Sequence, residues 1–298
     1  MTASTISALD YYDTLELALS GLTRARGEYR RHFGCSAAGI PAGYCWFKGV
    51  VNPERHPDYA EWACNAATEL EDRFVSTLPR LNPRSVLDVG CGNGGLLLRL
   101  ARTLRAELVG INLQATQARL ARSVLGATQA QIVEADFLEH TFERRFDLVC
   151  LVESAFHMAD KAKLCRRLSQ ALAPAGEVWL LDIVVAERAA STFDNLGRDQ
   201  ALFNYVPRAE WVRHFAASGL AEVEFVDFSL GVADFLRVSE IAALKEEYFA
   251  PRFADAPPDE LNTHVERMIE IATQYRRLSR LLRGGMLQYV LMRYRAPA

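Results

Sequence analysis

The segment Ser85-Val-Leu-Asp-Val-Gly-Cys-Gly-Asn-Gly-Gly95 sets an acid, Asp88, just ahead of glycines at 90, 92 and 94. Glycines at that spacing let the chain turn sharply and bring its backbone close to a ligand, because no Cβ stands in the way. A helix starting at such a turn aims its free amides and its positive end at the same ligand. The acid says which ligand. A carboxylate here repels phosphate and suits a cationic or hydroxyl-rich group. The G-x-G-x-G spacing also differs from the G-x-G-x-x-G of dinucleotide turns, and no phosphate-binding Lys follows. A second segment, Leu151-Val-Glu-Ser-Ala-Phe-His-Met158, carries an imidazole just past a strand end. Strand ends open onto the ligand crevice of such sheets, so His157 stands where a proton could be taken from a reacting group.

These residues need a scaffold, and the pattern from Ser85 onwards supplies one. Apolar, β-branched runs predict strands at 85–89, 107–112, 131–135, 146–152 and 176–184, with helices at 96–104, 115–125 and 161–172 between them. Alternation of this kind predicts right-handed βαβ units, hence an α/β fold with a doubly wound, mostly parallel sheet. A helix at 207–218 and a strand at 221–228 follow. A long helical stretch, 238–282, then delays the last strand, 286–294, which is expected as the antiparallel edge of the sheet. Ahead of the sheet, helices are expected at 11–20, 22–31 and 57–78. The expected organisation is therefore an N-terminal helical cap, 1–80, and a ligand-binding domain, 81–298, with a helical cap insertion at about 232–283. Both caps would reach the carboxyl ends of the strands and close over a small hydrophobic substrate.

The 298 residues suffice for one large α/β domain with an added subdomain. Half are hydrophobic and 24% are charged, the balance of an ordinary globular chain. A net charge of −3 argues against a nucleic-acid surface. No apolar run reaches membrane-spanning length, and the acids early in the sequence are unlike a secretory leader, so a cytoplasmic protein is expected. The six cysteines lack C-x-x-C spacing and read as free thiols, with no metal site.

The stretch VLDVGCGNGG resembles the first motif of Rossmann-like S-adenosylmethionine (SAM) methyltransferases, whose ligand carries a sulfonium, an amino group and a ribose but no phosphate. GINLQATQ, from Gly110 to Gln117, resembles a variant of the second motif found in natural-product and sterol-type methyltransferases. Asn112 there replaces the usual ribose-binding acid and cannot make its bidentate contact. Glu134-Ala-Asp-Phe137 resembles the adenine-contacting segment of the family, and ESAFHM resembles the E-S-x-x-H-[MF] segment of its small-molecule members. The Asn/Asp-Pro-Pro-Tyr of amino-group methyltransferases is absent. The resemblance covers Ser85 to Asp227 and implies SAM as donor, with S-adenosylhomocysteine as product. It implies a cofactor-binding set of Asp88, Gly90, Gly92, Asn112, Leu113, Gln117, Asp136, Phe137 and Glu153. It also implies catalytic roles for His157 as base with Asp182 behind it, or for Glu153.

Before the sheet, Gly43-Tyr-Cys-Trp-Phe47 resembles an aromatic segment that folds over the cofactor in the same group, which makes Tyr44 and Trp46 lid residues. The run Glu28-Tyr-Arg-Arg-His-Phe-Gly34 resembles a segment of prenyl-diphosphate C-methyltransferases, where Arg30, Arg31 and His32 would meet a diphosphate. The expected partner is a small-molecule acceptor, with neither nucleic acid nor membrane involved and a homo-oligomer left open. O-methylation by His157 and Asp182 and C-methylation of an alkene with Glu153 both remain open. So does a protein that binds SAM without transferring its methyl group.

Overall fold

The computed structural model describes residues 14–16, 32–35, 39–191, 203–255 and 257–296. They fall into two compact units. The larger, built from residues 71–229 and 285–296 together with His32, is organised on a seven-stranded sheet in the order β3-β2-β1-β4-β5-β7-β6. Its strands are β1 (Ser85–Val89), β2 (Glu107–Asn112), β3 (Gln131–Glu134), β4 (Phe146–Val152), β5 (Leu172–Val185), β6 (Ala221–Asp227) and β7 (Leu287–Arg295). The first five run parallel. Val86, Leu87 and Val89 of β1 and Leu148 to Leu151 of β4 are wholly buried, as strands covered on both faces must be.

From β1 the chain winds outward through β2 to β3, then crosses back to β4 on the other side of β1. Neighbouring connections therefore diverge between β1 and β4, and the crevice outside their carboxyl ends is where such sheets bind ligands. Asp88 lies beside Cys150 in the register of the pair, so the glycine turn after β1 and the loop after β4 leave the sheet side by side.

Three expectations are corrected here. The last strand is antiparallel but lies inside the sheet, between β5 and β6. Leu287, Tyr289, Val290, Leu291, Met292 and Tyr294 are buried, which suits an inner position, whereas β6 carries an exposed Val223 and takes the edge. The fifth strand starts earlier, at Leu172, which pairs with Phe146 across an irregularity in register; Ala175, at φ +62°, takes up the bend there. The long helical stretch is broken. Ile241–Leu244, a π-helical turn at Lys245–Phe249 and Ala250–Arg252 precede the helix Pro258–Arg283. Pro251, Pro257 and Pro258 supply no amide hydrogen and interrupt any continuous helix.

The smaller unit comprises residues 33–70 and 230–284 with Thr14–Glu16. Its core is aromatic: Trp46 packs against Phe47 at 4.9 Å and Tyr275 at 5.0 Å, and Phe47 against Phe249 at 5.5 Å between ring centres. Of the helices expected at 11–20 and 22–31, only the helical Thr14–Glu16 falls within the described residues. Arg30 and Arg31 lie outside them.

Candidate functional site

The glycine turn is held in a conformation that L side chains resist. Gly90 has φ +76°, Gly92 +51° and Gly94 +79°, and Gly94 opens the helix α1 (Gly95–Thr103). Gly90 and Cys91 both donate their amides to Ile111 O, at 2.8 and 3.2 Å, which ties the turn to the end of β2. The Cys91 thiol is buried, and burial beside Asp88 pushes its pKa up, so it is a packing group and not a nucleophile.

Asp88 lies under this turn with only 2% of its surface exposed. Burial pushes its carboxyl up to about 7; His32 opposes that rise and Glu71 adds to it. Glu71 is itself buried, 3.0 Å from Arg99 Nη1 and 3.8 Å from His32 Nε2. An acid whose pKa is raised by folding contributes stability that is complete below its unfolded pKa near 4 and lost as pH rises through 7. Asp88→Asn is therefore expected to raise Tm at pH 8 by about 2–6 °C, with a smaller gain at pH 5. Thermal melts at the two pH values check this, and a Tm at pH 8 no higher than native would refute it.

Asn112 holds the next part of the site together. Its Nδ2 donates to Gly92 O at 3.2 Å and to Gln117 Oε1 at 3.0 Å, and its Oδ1 accepts from Gln114 N at 3.1 Å. Both of its hydrogens are thus used as a brace between the glycine turn and the helix α2 (Ala115–Leu125). Because Asn112 fixes Gln117 Oε1, Gln117 keeps its Nε2 hydrogens to offer a ligand. Leu113, between brace and helix, is 69% exposed, an apolar surface at a strand end where a flat ring could lie. Asp136 accepts from Leu138 N at 2.8 Å on one oxygen, and no described residue bonds to the other. Phe137 points instead into the hydrophobic core around β4 and β5.

After β4 the chain is strained and then tightly bonded. Glu153 has φ +52°, uncommon for a residue with a side chain. Its amide donates to Leu181 O at 2.8 Å, and its Oε1 accepts from Tyr289 OH at 2.7 Å. Ser154 Oγ then donates to Val89 O at 2.6 Å, which ties this loop to the glycine turn. The single turn Ala155–His157 follows, with His157 half-buried and its ring 4.3 Å from Phe156 and 5.7 Å from Phe203. Asp182 was expected to face that imidazole. Its hydrogen bonds go elsewhere: Oδ2 accepts from Ala155 N at 2.9 Å and Phe156 N at 3.3 Å, and Oδ1 from Ile183 N at 2.7 Å. Asp182 therefore holds the backbone of the turn that carries His157.

Tyr44 and Trp46 are buried in the smaller unit, Tyr44 at 4.5 Å from the ring of Trp62. His32 lies beside Glu71, as above. Lys161, which the sequence did not single out, is buried against the His157 turn. Its signal was a cation at the first position of a helix, where the helix's own positive end disfavours it. Among the described residues no cluster is arranged to hold a metal ion, and no helix is long and apolar enough to cross a membrane.

Residues 86–176 match the family model of a methyltransferase domain. That segment is a methyltransferase domain, and the sheet around it has the Rossmann-like order of SAM-dependent methyltransferases. The chain is 31% identical over 167 residues to the chloroplastic tocopherol O-methyltransferase of Arabidopsis thaliana, covering 51% of this chain. It spans about half the length of that relative, 48%. Among solved structures it is similar to the O-methyltransferase of a trans-AT PKS multienzyme of Brevibacillus brevis in complex with S-adenosyl-L-homocysteine. That likeness has a TM-score of 0.71 at 22% identity, covering 90% of this chain and 85% of the other. It is also similar in fold to the [4+2]-cyclase SpnF, with a TM-score of 0.68 at 16% identity, covering 99% and 97%. The fold is thus shared by chains whose names describe different chemistry, and the site must decide between them.

Proposed function

We propose that this chain is a SAM-dependent methyltransferase that moves a methyl group from SAM to a small, largely apolar acceptor of the secondary-metabolite type, with His157 as the base for an oxygen acceptor. The observation that carries the reading is the Ser154–Val89 bond at 2.6 Å, which fixes the turn bearing His157 to the glycine turn. The donor turn and a proton acceptor are thereby held on adjoining strand ends.

The residues fit SAM on three points. A Cβ at Gly92 would meet nothing within 4 Å, so that stretch of backbone is open to close approach. Gln117 Nε2 and the second oxygen of Asp136 offer a donor and an acceptor of the kinds that ribose hydroxyls and an adenine amino group need. Asp88 places a carboxyl beneath the turn that a nearby cationic group of the ligand would hold ionised. SAM brings a methyl group on a sulfonium, a good leaving group displaced in line. The chain's own task is then alignment, exclusion of water and removal of a proton. His157 takes the hydroxyl proton as the oxygen attacks. Asp182 holds the turn through the Ala155 and Phe156 amides, so the ring keeps its place as it gains charge. The reading places the enzyme in the cytoplasm, with a small molecule and neither a nucleic acid nor a membrane as its partner.

One observation favours a carbon acceptor as the second reading. Glu153 is held in a strained conformation and bonded to the buried Tyr289, a half-buried carboxylate–phenol pair able to face a developing carbocation. The test is transfer of labelled methyl from SAM by the purified protein to a panel of phenolic, hydroxylated polyketide and terpenoid acceptors. Label in any of them supports methyl transfer, and the methylated atom separates the two readings. SAM binding with no transfer across the panel would overturn both.

A further inference from the structure

Lys161 is the first residue of the helix α3 (Lys161–Ala171) and is only 3% exposed. A lysine in that place meets two costs: desolvation of its charge, and the positive end of its own helix. What it does with the charge is specific. Its Nζ donates to Ala155 O at 2.7 Å and to Met158 O at 2.7 Å, the carbonyls on either side of Phe156 and His157. The ring of Trp211 lies 5.3 Å from the same ammonium. Asp182, 1% exposed, holds the opposite polarity of the same turn, the amides of Ala155 and Phe156. Phe156 O accepts from Asn204 N at 2.7 Å, and His157 N donates to Ser154 O at 3.2 Å. The turn that carries His157 is thus gripped by a cation on its carbonyls and a carboxylate on its amides.

We infer that Lys161 is a positioning residue for His157, acting with Asp182 to set the imidazole against the donor turn. The inference rests on the reading of His157 as the base. The two charges also serve each other. Each is buried, each would be costly alone, and removing either leaves the other uncompensated. Burial lowers the Lys161 ammonium and raises the Asp182 carboxyl, while each partner's charge opposes the shift of the other. Glu210 and Cys165 also face the ammonium. A helix that needed only a good first turn would use neither charge. Asp160 already caps it by accepting from Lys163 N at 2.8 Å.

The test uses full-length protein labelled at histidine, with the His157 ring signal in the NMR spectrum assigned by its loss in His157→Ala. Lys161→Met keeps the aliphatic stem and removes the ammonium. It is expected to displace the His157 signal and lower kcat about 10- to 100-fold, with SAM affinity changed by less than about threefold, because small misplacements of a catalytic group have large effects. A Lys161 that merely stabilised the fold would lower Tm and leave the ring signal and kcat native, and that result overturns the inference. If Lys161→Met does not fold, Asp182→Asn, which keeps the size of the side chain, is read the same way. A native His157 signal there overturns the inference too. Full turnover by His157→Ala would instead remove the base reading. Positioning would then stand or fall on the ring signal alone.

Discussion

Replacing His157 by alanine is expected to lower kcat for methyl transfer to a hydroxyl by about 10²–10⁴-fold, with SAM affinity close to native. The expectation follows from where the residue stands. The His157 turn is joined to the donor turn through Ser154 and Val89, yet the glycine-turn bonds to Ile111 and Asn112 do not involve His157. Removing the ring should therefore delete proton removal and leave the donor site intact. The deficit should shrink with acceptors acidic enough to arrive already ionised, since those need no base. Steady-state kinetics against phenols of graded acidity, with SAM binding measured separately, would show the pattern. An equal deficit for every acceptor would mean that the ring aligns the substrate and moves no proton. Native turnover would remove the base role altogether. If Glu153→Gln were then inactive, the carbon-acceptor reading would take its place, because that change removes the charge that Tyr289 helps to hold.

The parts of this site that were legible in the sequence are those set by local chemistry. Asp88 and the three glycines announce a turn because no other residue type would be put there, and the apolar runs of β1 and β4 announce buried parallel strands. What could not be read is where a bond goes once the chain is folded. Asn112 looks like a ribose ligand; its two hydrogens turn out to brace Gly92, twenty residues back in the chain, and Gln117, five residues ahead in the next helix. Asp182 looks like the partner of an imidazole. The pairing of β4 with β5 sets Val152 beside Leu181, and from the next position Asp182 reaches the amides of the turn. Phe137 follows the same rule: it lies in the segment expected to contact adenine, and its ring is buried in the core around β4 and β5. The delay of the last strand in the sequence suggests an edge, but its buried residues on both faces put it inside the sheet.

Gly90 carries the second large expectation. Gly90→Ala should weaken SAM binding by about 100-fold or more and destabilise the protein by about 2–4 kcal/mol, from two sources that add. The backbone there has φ +76°, where an alanine is strained. The new Cβ would also lie 2.4 Å from Ser154 Cβ and 3.0 Å from its Oγ, closer than two such atoms can approach. Ser154 cannot simply step aside, since its hydroxyl is bonded to Val89 O and its neighbours are the amides that Asp182 holds. Relief must therefore come from parting the donor turn and the His157 turn, the arrangement on which transfer depends. Gly92→Ala is the comparison. At φ +51° it bears backbone strain alone, with nothing within 4 Å of its Cβ, so its loss of stability should be about half as large or less. Adding Ser154→Gly to Gly90→Ala removes the clashing atoms but leaves the strain, so the double variant should melt above the single one. If thermal melts show no such recovery, or Gly92→Ala costs as much as Gly90→Ala, the close approach of the two turns is not what Gly90 provides.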